Sequence, residues 1–153
     1  MGTLVVYYSR TNITKLLAMD IQKELNCKIE DIIDKKDRSG SLNYFLSALD
    51  ALRKKPANIE PTLKDPSDFH LTIIATPVWA GTMSTPILTY IKENRDKFNN
   101  VAFIATCGSS EGNTFKDMAK ILNKGPVKTM VVTSKDTDGQ IDEKINSFVQ
   151  NLK

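Results

Sequence analysis

A polar segment near the N-terminus has the side chains and backbone groups needed to hold an anion. It consists of Ser9, Arg10, Thr11, Asn12, Ile13 and Thr14. An apolar run precedes it and an amphipathic stretch follows it, so successive N–H groups and a helix N-terminus would meet there. Because it lacks lysine and the GxxxxGK[ST] pattern, the segment favours a phosphate monoester over a triphosphate. An ordinary helix cap is the alternative, since Ser, Thr and Asn are common at that position.

The second candidate segment, residues 76–86, contains the single tryptophan of the chain and no charged residue. Trp79 stands between Pro77 and Gly81, and its indole could offer a flat face to a planar ring by offset stacking. Gly81 would give the backbone the freedom that a tight turn needs. We favour a ligand surface over packing of Trp79 against a helix, because ligand pockets are mostly apolar with few polar groups.

The third candidate segment, residues 106–114, is rich in small residues whose amides could follow the edge of a planar ligand. An ordinary strand–helix connection is the alternative. A phosphatase would need an electropositive setting and an arginine a few residues beyond a nucleophilic Cys107, and residues 110–115 include none. A response-regulator receiver would need an aspartate after the third strand, where Pro77 and Val78 stand instead.

Five short apolar runs predict the strands that would position these segments. They span residues 4–8, 27–31, 71–75, 101–105 and 127–132. The first, third and fourth are almost uninterrupted, as in strands covered on both faces, whereas the second and fifth resemble edge strands. This pattern predicts a doubly wound parallel sheet of order 2-1-3-4-5 in a three-layer α/β/α fold. Ligands bind such sheets at the carboxyl ends of the strands where the order reverses, so the three segments would converge there.

Apolar residues at helical spacing predict helices between the strands, with the apolar stripes packed in the core. In the first helix the stripe consists of Ile13, Leu16, Leu17, Ile21 and Leu25. In the second it consists of Leu42, Phe45, Leu46, Leu49 and Leu52. Two further stripes lie within residues 115–122 and 141–152. We interpret the basic cluster at residues 53–55 as the cationic C-terminal end of the second helix, in preference to a phosphate-binding patch.

The three segments and the strand pattern resemble the flavodoxin-like family. Residues 9–14 are similar to the S/T-x-T-G-x-T phosphate loop of flavodoxins. Residues 76–81 resemble the aromatic-bearing loop of that family, which includes FMN-dependent reductases. The resemblance covers essentially the whole chain and is to the short-chain flavodoxin type, because the fifth strand is uninterrupted. It implies a flavodoxin-like doubly wound five-stranded sheet that holds one FMN.

The resemblance also implies a role for each matching residue. The FMN phosphate would be bound by Ser9, Thr11, Asn12 and Thr14, with backbone amides from Arg10 and Ile13. Trp79 would cover one face of the isoalloxazine ring, in a turn shaped by Pro77, Val78, Ala80 and Gly81. Thr106 opens the third loop, in which Cys107, Gly108 and Ser109 would border the pyrimidine edge. The aromatic that covers the second ring face is left open among Tyr7, Tyr8, Tyr44 and others.

Asn12 departs from the family pattern, because it stands where the phosphate loop usually has glycine. Asparagine tolerates left-handed backbone geometry better than most residues, so the loop conformation can survive the change. The net charge of +3 is a second departure, since flavodoxin carriers are typically acidic.

The implied function is one-electron transfer between redox partner proteins. The alternative is an FMN-dependent NAD(P)H:quinone-type oxidoreductase, which no motif separates cleanly from a carrier because FMN performs the redox chemistry itself. The absence of a GxGxxG nicotinamide motif favours the carrier. A flavin-free interaction module is a third alternative.

Composition limits the function classes further. The 153 residues, 41% hydrophobic and 25% charged, are typical of one globular domain, expected to span residues 1–153. No apolar run reaches the ~20 residues of a membrane span and no targeting peptide is evident, so we expect a cytoplasmic protein without a membrane partner. A net charge of +3 is too small to indicate nucleic acid binding. Cys27 and Cys107 have no metal-site or CxxC spacing, so we expect reduced thiols and no metal. We also expect a monomer or weak homodimer.

Overall fold

Strands and helices alternate along the chain in the computed structural model, which describes residues 2–152. The strands are β1 (Gly2–Tyr7), β2 (Lys28–Asp31), β3 (Phe69–Trp79), β4 (Thr82–Met83), β5 (Asn100–Cys107) and β6 (Thr129–Thr133). The helices are α1 (Ile13–Leu25), α2 (Ser41–Leu52), α3 (Thr85–Glu93), α4 (Thr114–Leu122) and α5 (Asp138–Val149), and a 3-10 turn at Pro66–Asp68 leads into β3. Within the described part of the chain, no helix is long and apolar enough to cross a membrane.

Parallel pairing orders the sheet β2-β1-β3-β5-β6. The two-residue β4 falls between β3 and β5 along the chain and pairs antiparallel with the end of β3. With β4 set aside, the five parallel strands have the predicted order 2-1-3-4-5, and that prediction is confirmed. The order reverses at β1, where Val5 lies opposite Ile29 of β2 and Ile73 of β3.

Helices cover both faces of the sheet, so the central strands are buried. Successive side chains of a strand point to opposite faces, and each face therefore has its own core. One core includes Ile74, Phe103, Tyr90 of α3 and Met118 of α4. The other includes Ile73, Ile104, Ile21 of α1 and Phe148 of α5. Full burial of each such side chain contributes about 1.5–3 kcal/mol to the free energy of unfolding. Because helices cover both faces of the sheet, the three-layer α/β/α prediction is confirmed.

The third strand is longer than predicted, because β3 continues past residue 75 to Trp79. It stays paired with β5 as far as Pro77, which lies opposite Thr106, and then pairs with β4. Pro77, Val78 and Trp79 therefore lie on a strand end and not in a loop.

The apolar stripe of α2 lies outside the core, so this part of the prediction is wrong. Its members Leu42, Phe45, Leu46 and Leu52 are 70%, 60%, 36% and 67% exposed. The buried residues of α2 are the small Ser47 and Ala51. They leave room for the buried Arg38, which donates a hydrogen bond to Ser47 Oγ at 3.0 Å. An ion network thus takes the inner position that apolar side chains would otherwise hold.

The stripe of α1 is only partly in the core. Leu17 and Ile21 are buried as predicted, whereas Ile13 and Leu16 are each 62% exposed. The reason is the position of the first turn: α1 begins beyond the carboxyl end of β1, where little strand surface remains to pack against.

A close backbone approach joins the turn after β3 to the loop after β5. Gly112 has φ +55°, and a Cβ at this position would lie 2.7 Å from the carbonyl oxygen of Gly81. The N–H of Asn113 donates a hydrogen bond to the same oxygen at 2.7 Å. Only glycine fits at position 112 without moving one of the two segments.

Gly112→Ala is expected to lower the free energy of unfolding by about 2 kcal/mol, because the new Cβ clashes and alanine is strained at positive φ. Gly139→Ala in the first turn of α5 is the matched control, since a Cβ there meets no atom within 4 Å. That change should be neutral or stabilise by up to about 1 kcal/mol. Urea unfolding followed by Trp79 fluorescence measures both, and equal stabilities would contradict the close approach.

Candidate functional site

The loops at the carboxyl edge of the sheet enclose a cavity of about 440 Å³. The predicted site residues that line it are Arg10, Thr11, Ile13, Thr14, Pro77, Val78, Trp79, Thr106, Cys107 and Gly108. The predicted residues outside this lining are Ser9, Asn12, Ala80, Gly81 and Ser109. The cavity lies where the strand order reverses, which is where an open parallel sheet binds its ligands.

The start of α1 presents open hydrogen-bond donors beside the cavity. Asn12 precedes the helix with φ 68°, so it adopts the left-handed conformation that the sequence predicts for the glycine position. No side chain caps this N-terminus, and the helical ladder opens with the bond from Leu16 N–H to Asn12 carbonyl at 3.0 Å. Uncapped N–H groups and the helix dipole together favour an anion at this point.

Ser9 adds a buried polar atom that lacks a partner. Its Oγ is inaccessible to solvent and has no hydrogen-bond partner among residues 2–152. A hydroxyl left in this state costs about 1–3 kcal/mol, so an unpaired donor next to an uncapped helix indicates a place for a ligand acceptor.

Thr14 has a partner of its own in the fold. Its Oγ1 lies 2.7 Å from Oγ1 of Thr106 at the end of β5, and both residues are buried. One hydroxyl of the pair donates to the other, so the second proton stays available. The contact fixes the first turn of α1 against β5, and the direct phosphate contact implied for Thr14 stays a prediction.

Two aromatic side chains line the cavity. Trp79 is 7% exposed. The ring of Tyr8 meets it edge-on, with 5.5 Å between the two ring centroids, and the Arg38 guanidinium lies 5.2 Å from the centroid of the Trp79 ring. Tyr44 of α2 is 58% exposed, and the Arg10 guanidinium lies 4.8 Å from its ring centroid. Of the tyrosines that the sequence leaves open for a second ring face, Tyr44 is therefore the one that lines the cavity.

The turn between β3 and β4 is a two-residue hairpin. Ala80 has φ 50° and Gly81 has φ 76°, the pattern of positive φ at both central residues that marks a type I′ turn. Positive φ at an alanine costs about 1–2 kcal/mol. The bond from Asn113 N–H to Gly81 carbonyl holds this turn, and with it the end of β3, in place.

Arg38 is a buried cation that sequence reasoning missed. It pairs with Asp34, donates to Ser47 Oγ, and lies 3.3 Å from a carboxylate oxygen of Asp50. Its backbone carbonyl accepts a hydrogen bond from Arg10 Nη1 at 3.3 Å. This network connects α2 to residues 9–14, which we call the anion loop. Sequence analysis could not find Arg38, because a single arginine in a polar stretch forms no recognisable pattern.

A fourth loop, after β6, was also missed. The cavity lining includes Ser134 and Asp136 of this loop and Thr133, the last residue of β6. Ser134 donates a hydrogen bond to Gly108 carbonyl at 2.9 Å, which joins the third and fourth loops. Lys144 and the Thr133 N–H hold the pKa of the Asp136 carboxyl below its usual range. The rule that parallel strands end at one edge could have revealed this loop, because β6 belongs to the same sheet.

Cys107 lacks the properties of a nucleophilic cysteine. Burial, with a smaller effect from Glu111, raises its pKa above the usual range, and its Sγ lies 3.8 Å from Val132 carbonyl. A raised pKa lowers the thiolate fraction at neutral pH, the opposite of what a nucleophile needs. Over residues 2–152 no group of three or more His, Cys, Asp or Glu side chains is placed to hold a metal ion.

Solved structures identify the fold. The chain is similar to a flavoprotein from Lactobacillus acidophilus NCFM, solved in complex with FMN (TM-score 0.75, 22% identity, 94% of this chain and 97% of that chain covered). It is similar to a protein from Bacteroides uniformis ATCC 8492, with a TM-score of 0.80, 20% identity, and 95% of this chain and 97% of that chain covered. It is also similar to a flavodoxin from the domain Archaea, with a TM-score of 0.55, 16% identity, and 95% of this chain and 92% of that chain covered. No protein-family model and no curated protein matches the sequence. The chain therefore has the flavodoxin-like fold, as the resemblance implies.

Arg38→Met is expected to lower the free energy of unfolding by about 3–5 kcal/mol, because it leaves the buried Asp34 carboxylate unpaired. Lys36→Met is the matched control: Lys36 pairs with Asp50 at 3.6 Å but is about half exposed. The control should lose less than about 1 kcal/mol. Urea titration with Trp79 fluorescence gives both values, and a small loss for Arg38→Met would show that the network does not stabilise the site.

Both cysteines are expected to react slowly with iodoacetamide at neutral pH. Burial raises the pKa of Cys27 to about 11, and that of Cys107 is also raised. Because a raised pKa delays thiolate formation, alkylation should accelerate only above pH ~9. Mass spectrometry of the intact chain over a pH series measures this, and rapid modification of Cys107 at pH ~7 would restore a nucleophilic role for it.

Proposed function

We propose that this chain binds FMN at the carboxyl edge of its sheet and passes electrons between redox partner proteins. The observation that carries the proposal is the buried, unpartnered hydroxyl of Ser9 beside an uncapped helix N-terminus and an aromatic-lined cavity. A phosphate monoester joined to a planar ring matches both halves of this site.

The residues of the anion loop fit a phosphate. Ser9 Oγ can donate to one phosphate oxygen, and the N–H groups of Asn12, Ile13 and Thr14 lie at the start of α1 with no capping side chain in competition. Two negative charges at this N-terminus are stabilised by the helix dipole, although residues 9–14 include no lysine. Thr11, which is exposed at the cavity, can add a second hydroxyl.

The rest of the cavity fits a planar ring. Its volume of about 440 Å³ is in the usual range of ligand pockets, and Pro77, Val78, Trp79 and Tyr44 give it apolar and aromatic walls. The lining also includes polar groups at Cys107 and Gly108 and at Thr133, Ser134 and Asp136. FMN would supply the redox chemistry when bound, and these residues would orient the ring and limit water at it.

Two ionisable groups of the cavity, Asp136 and Cys107, are unsuited to general acid–base catalysis. Asp136 is paired with Lys144 at 2.6 Å, and burial raises the pKa of the Cys107 thiol. Neither group is poised to exchange a proton with a substrate near pH 7. Electron transfer alone needs no such group. The similarity to a flavodoxin and to a flavoprotein solved in complex with FMN supports FMN binding.

Turnover without a partner separates the carrier from the alternative, an FMN-dependent NAD(P)H:quinone-type oxidoreductase. The FMN-loaded chain is mixed with NADPH and a soluble quinone, and NADPH consumption is followed by absorbance. We expect no consumption until a partner reductase is added. Rapid consumption by the chain alone would establish the oxidoreductase instead.

FMN is expected to bind more tightly than riboflavin, since the two ligands differ only by the phosphate. Ser9→Ala should weaken FMN binding about tenfold to hundredfold and leave riboflavin binding unchanged, because it removes one hydrogen bond to a charged group. Ser147→Ala on the exposed surface of α5 is the control and should change neither. Quenching of flavin fluorescence on titration measures the affinity of each of the three proteins for both ligands, and equal binding of FMN and riboflavin by the unchanged chain would contradict the phosphate site.

A further inference from the structure

The outer surface of α2 is an apolar face without a covering element among residues 2–152. It consists of Leu42, Phe45, Leu46, Leu49 and Leu52, of which all but the half-buried Leu49 are at least 36% exposed. These positions lie along one side of the helix at intervals of three and four residues. Single exposed apolar residues are normal, but a contiguous set of this size marks an interaction surface.

The fold cannot bury this face by rotating α2. Ser47 and Ala51 pack inward on the opposite side of the helix, and Arg38 is held there through Ser47 and Asp50. Turning the leucines inward would expose a paired arginine and break these bonds. The apolar face therefore stays outward in the folded chain.

Basic residues flank the apolar face at both ends of α2. Before the helix stand Lys35 and Lys36, and after it stand Arg53, Lys54 and Lys55, all of them exposed. Two of these cations have an acidic neighbour: Lys36 lies 3.6 Å from Asp50 and Lys54 lies 3.6 Å from Asp117. Lys35, Arg53 and Lys55 form no ion pair in the described part of the chain, and the exposed Asp37 offsets one charge before the helix. The excess positive charge therefore lies mainly at the C-terminal end of α2.

The charges decide which occupant fits the apolar face. Two copies of the chain that met through parallel α2 helices would bring the basic C-terminal ends together, and like charges at an interface oppose association. An anionic lipid surface instead offers acyl chains to the leucines and phosphates to the flanking cations. Interfacial helices have this arrangement, with Leu and Phe on one face and Lys or Arg beside it.

We propose that α2 docks on anionic bilayers, lying in the plane of the surface with its apolar face turned toward the acyl chains. The helix has 12 residues and is therefore about 18 Å long. Its side chains would reach about 5–10 Å into the headgroup region, and each nearby cation would strengthen binding about fivefold. This is peripheral attachment, and it needs neither a membrane span nor a bound cofactor.

The test is co-sedimentation of the full chain with vesicles of phosphatidylcholine alone or mixed with phosphatidylglycerol. We expect binding only to the mixed vesicles, weakened by salt. The double variant Leu42→Ser with Phe45→Ser should lower the partition coefficient at least about tenfold. Arg53→Gln with Lys55→Gln should lower it about fivefold for each cation removed. All four positions are exposed, and unchanged circular dichroism would verify that the fold is kept.

The matched control is Met19→Ser with Lys23→Gln on α1, across the sheet, which removes an exposed apolar side chain and a cation and should leave binding unchanged. No binding to mixed vesicles, equal binding to both kinds of vesicle, or a loss in the α1 control as large as in the α2 variants would each overturn the proposal. A dimer seen by light scattering and dissociated by Leu42→Ser with Phe45→Ser would overturn it too, because a second copy would then cover the face.

Discussion

The reversal of strand order at β1 is the constraint on which the rest of the molecule depends. Because β1 is bonded to β2 on one side and to β3 on the other, the loops that leave β1 and β3 diverge and open a crevice at the carboxyl edge. Backbone and side-chain donors that border this crevice find no partner in the neighbouring elements. The uncapped start of α1 and the Ser9 hydroxyl are the two clearest examples. The topology thus produces a crevice bordered by hydrogen-bond donors that have no partner within the described part of the chain.

A buried cation organises one side of that crevice. Arg38 is neutralised by Asp34 and Asp50, and its guanidinium lies over the ring of Trp79. Because this network needs the small inner residues of α2, the helix turns its leucines outward and presents Tyr44 at the cavity. The second aromatic of the site and the apolar outer face therefore have one physical cause. The proposed cofactor site and the proposed lipid contact both involve this helix.

The features that follow from local patterns could be predicted from the sequence. Uninterrupted apolar strands such as residues 101–105 identified the central strands, and edge-like strands gave the order of the sheet. The loop at residues 9–14 followed from its polar residues between a strand and a helix. The left-handed Asn12 followed from the resemblance to a phosphate loop that has glycine at this position.

The errors arose where a non-local interaction overrides a local pattern. The spacing of Leu42 and Phe45 predicts an amphipathic helix correctly, yet periodicity cannot tell which side meets the core. That choice depends on Arg38, whose burial results from contacts with Asp50, 12 positions along the chain, and with the ring of the still more distant Trp79. The extension of β3 to Trp79 depends likewise on pairing with β4 and β5, which no window of sequence contains.

The central claim is that the anion loop and the cavity together hold FMN. The most direct measurement is a series of ¹H–¹⁵N spectra of the labelled chain recorded during addition of FMN. The amides of residues 11–14, 79–81 and 107–109 should show the largest shift changes, with those near residue 12 unaffected by riboflavin. Changes confined to the opposite edge of the sheet, around residues 26–29, or no changes at all, would contradict the account.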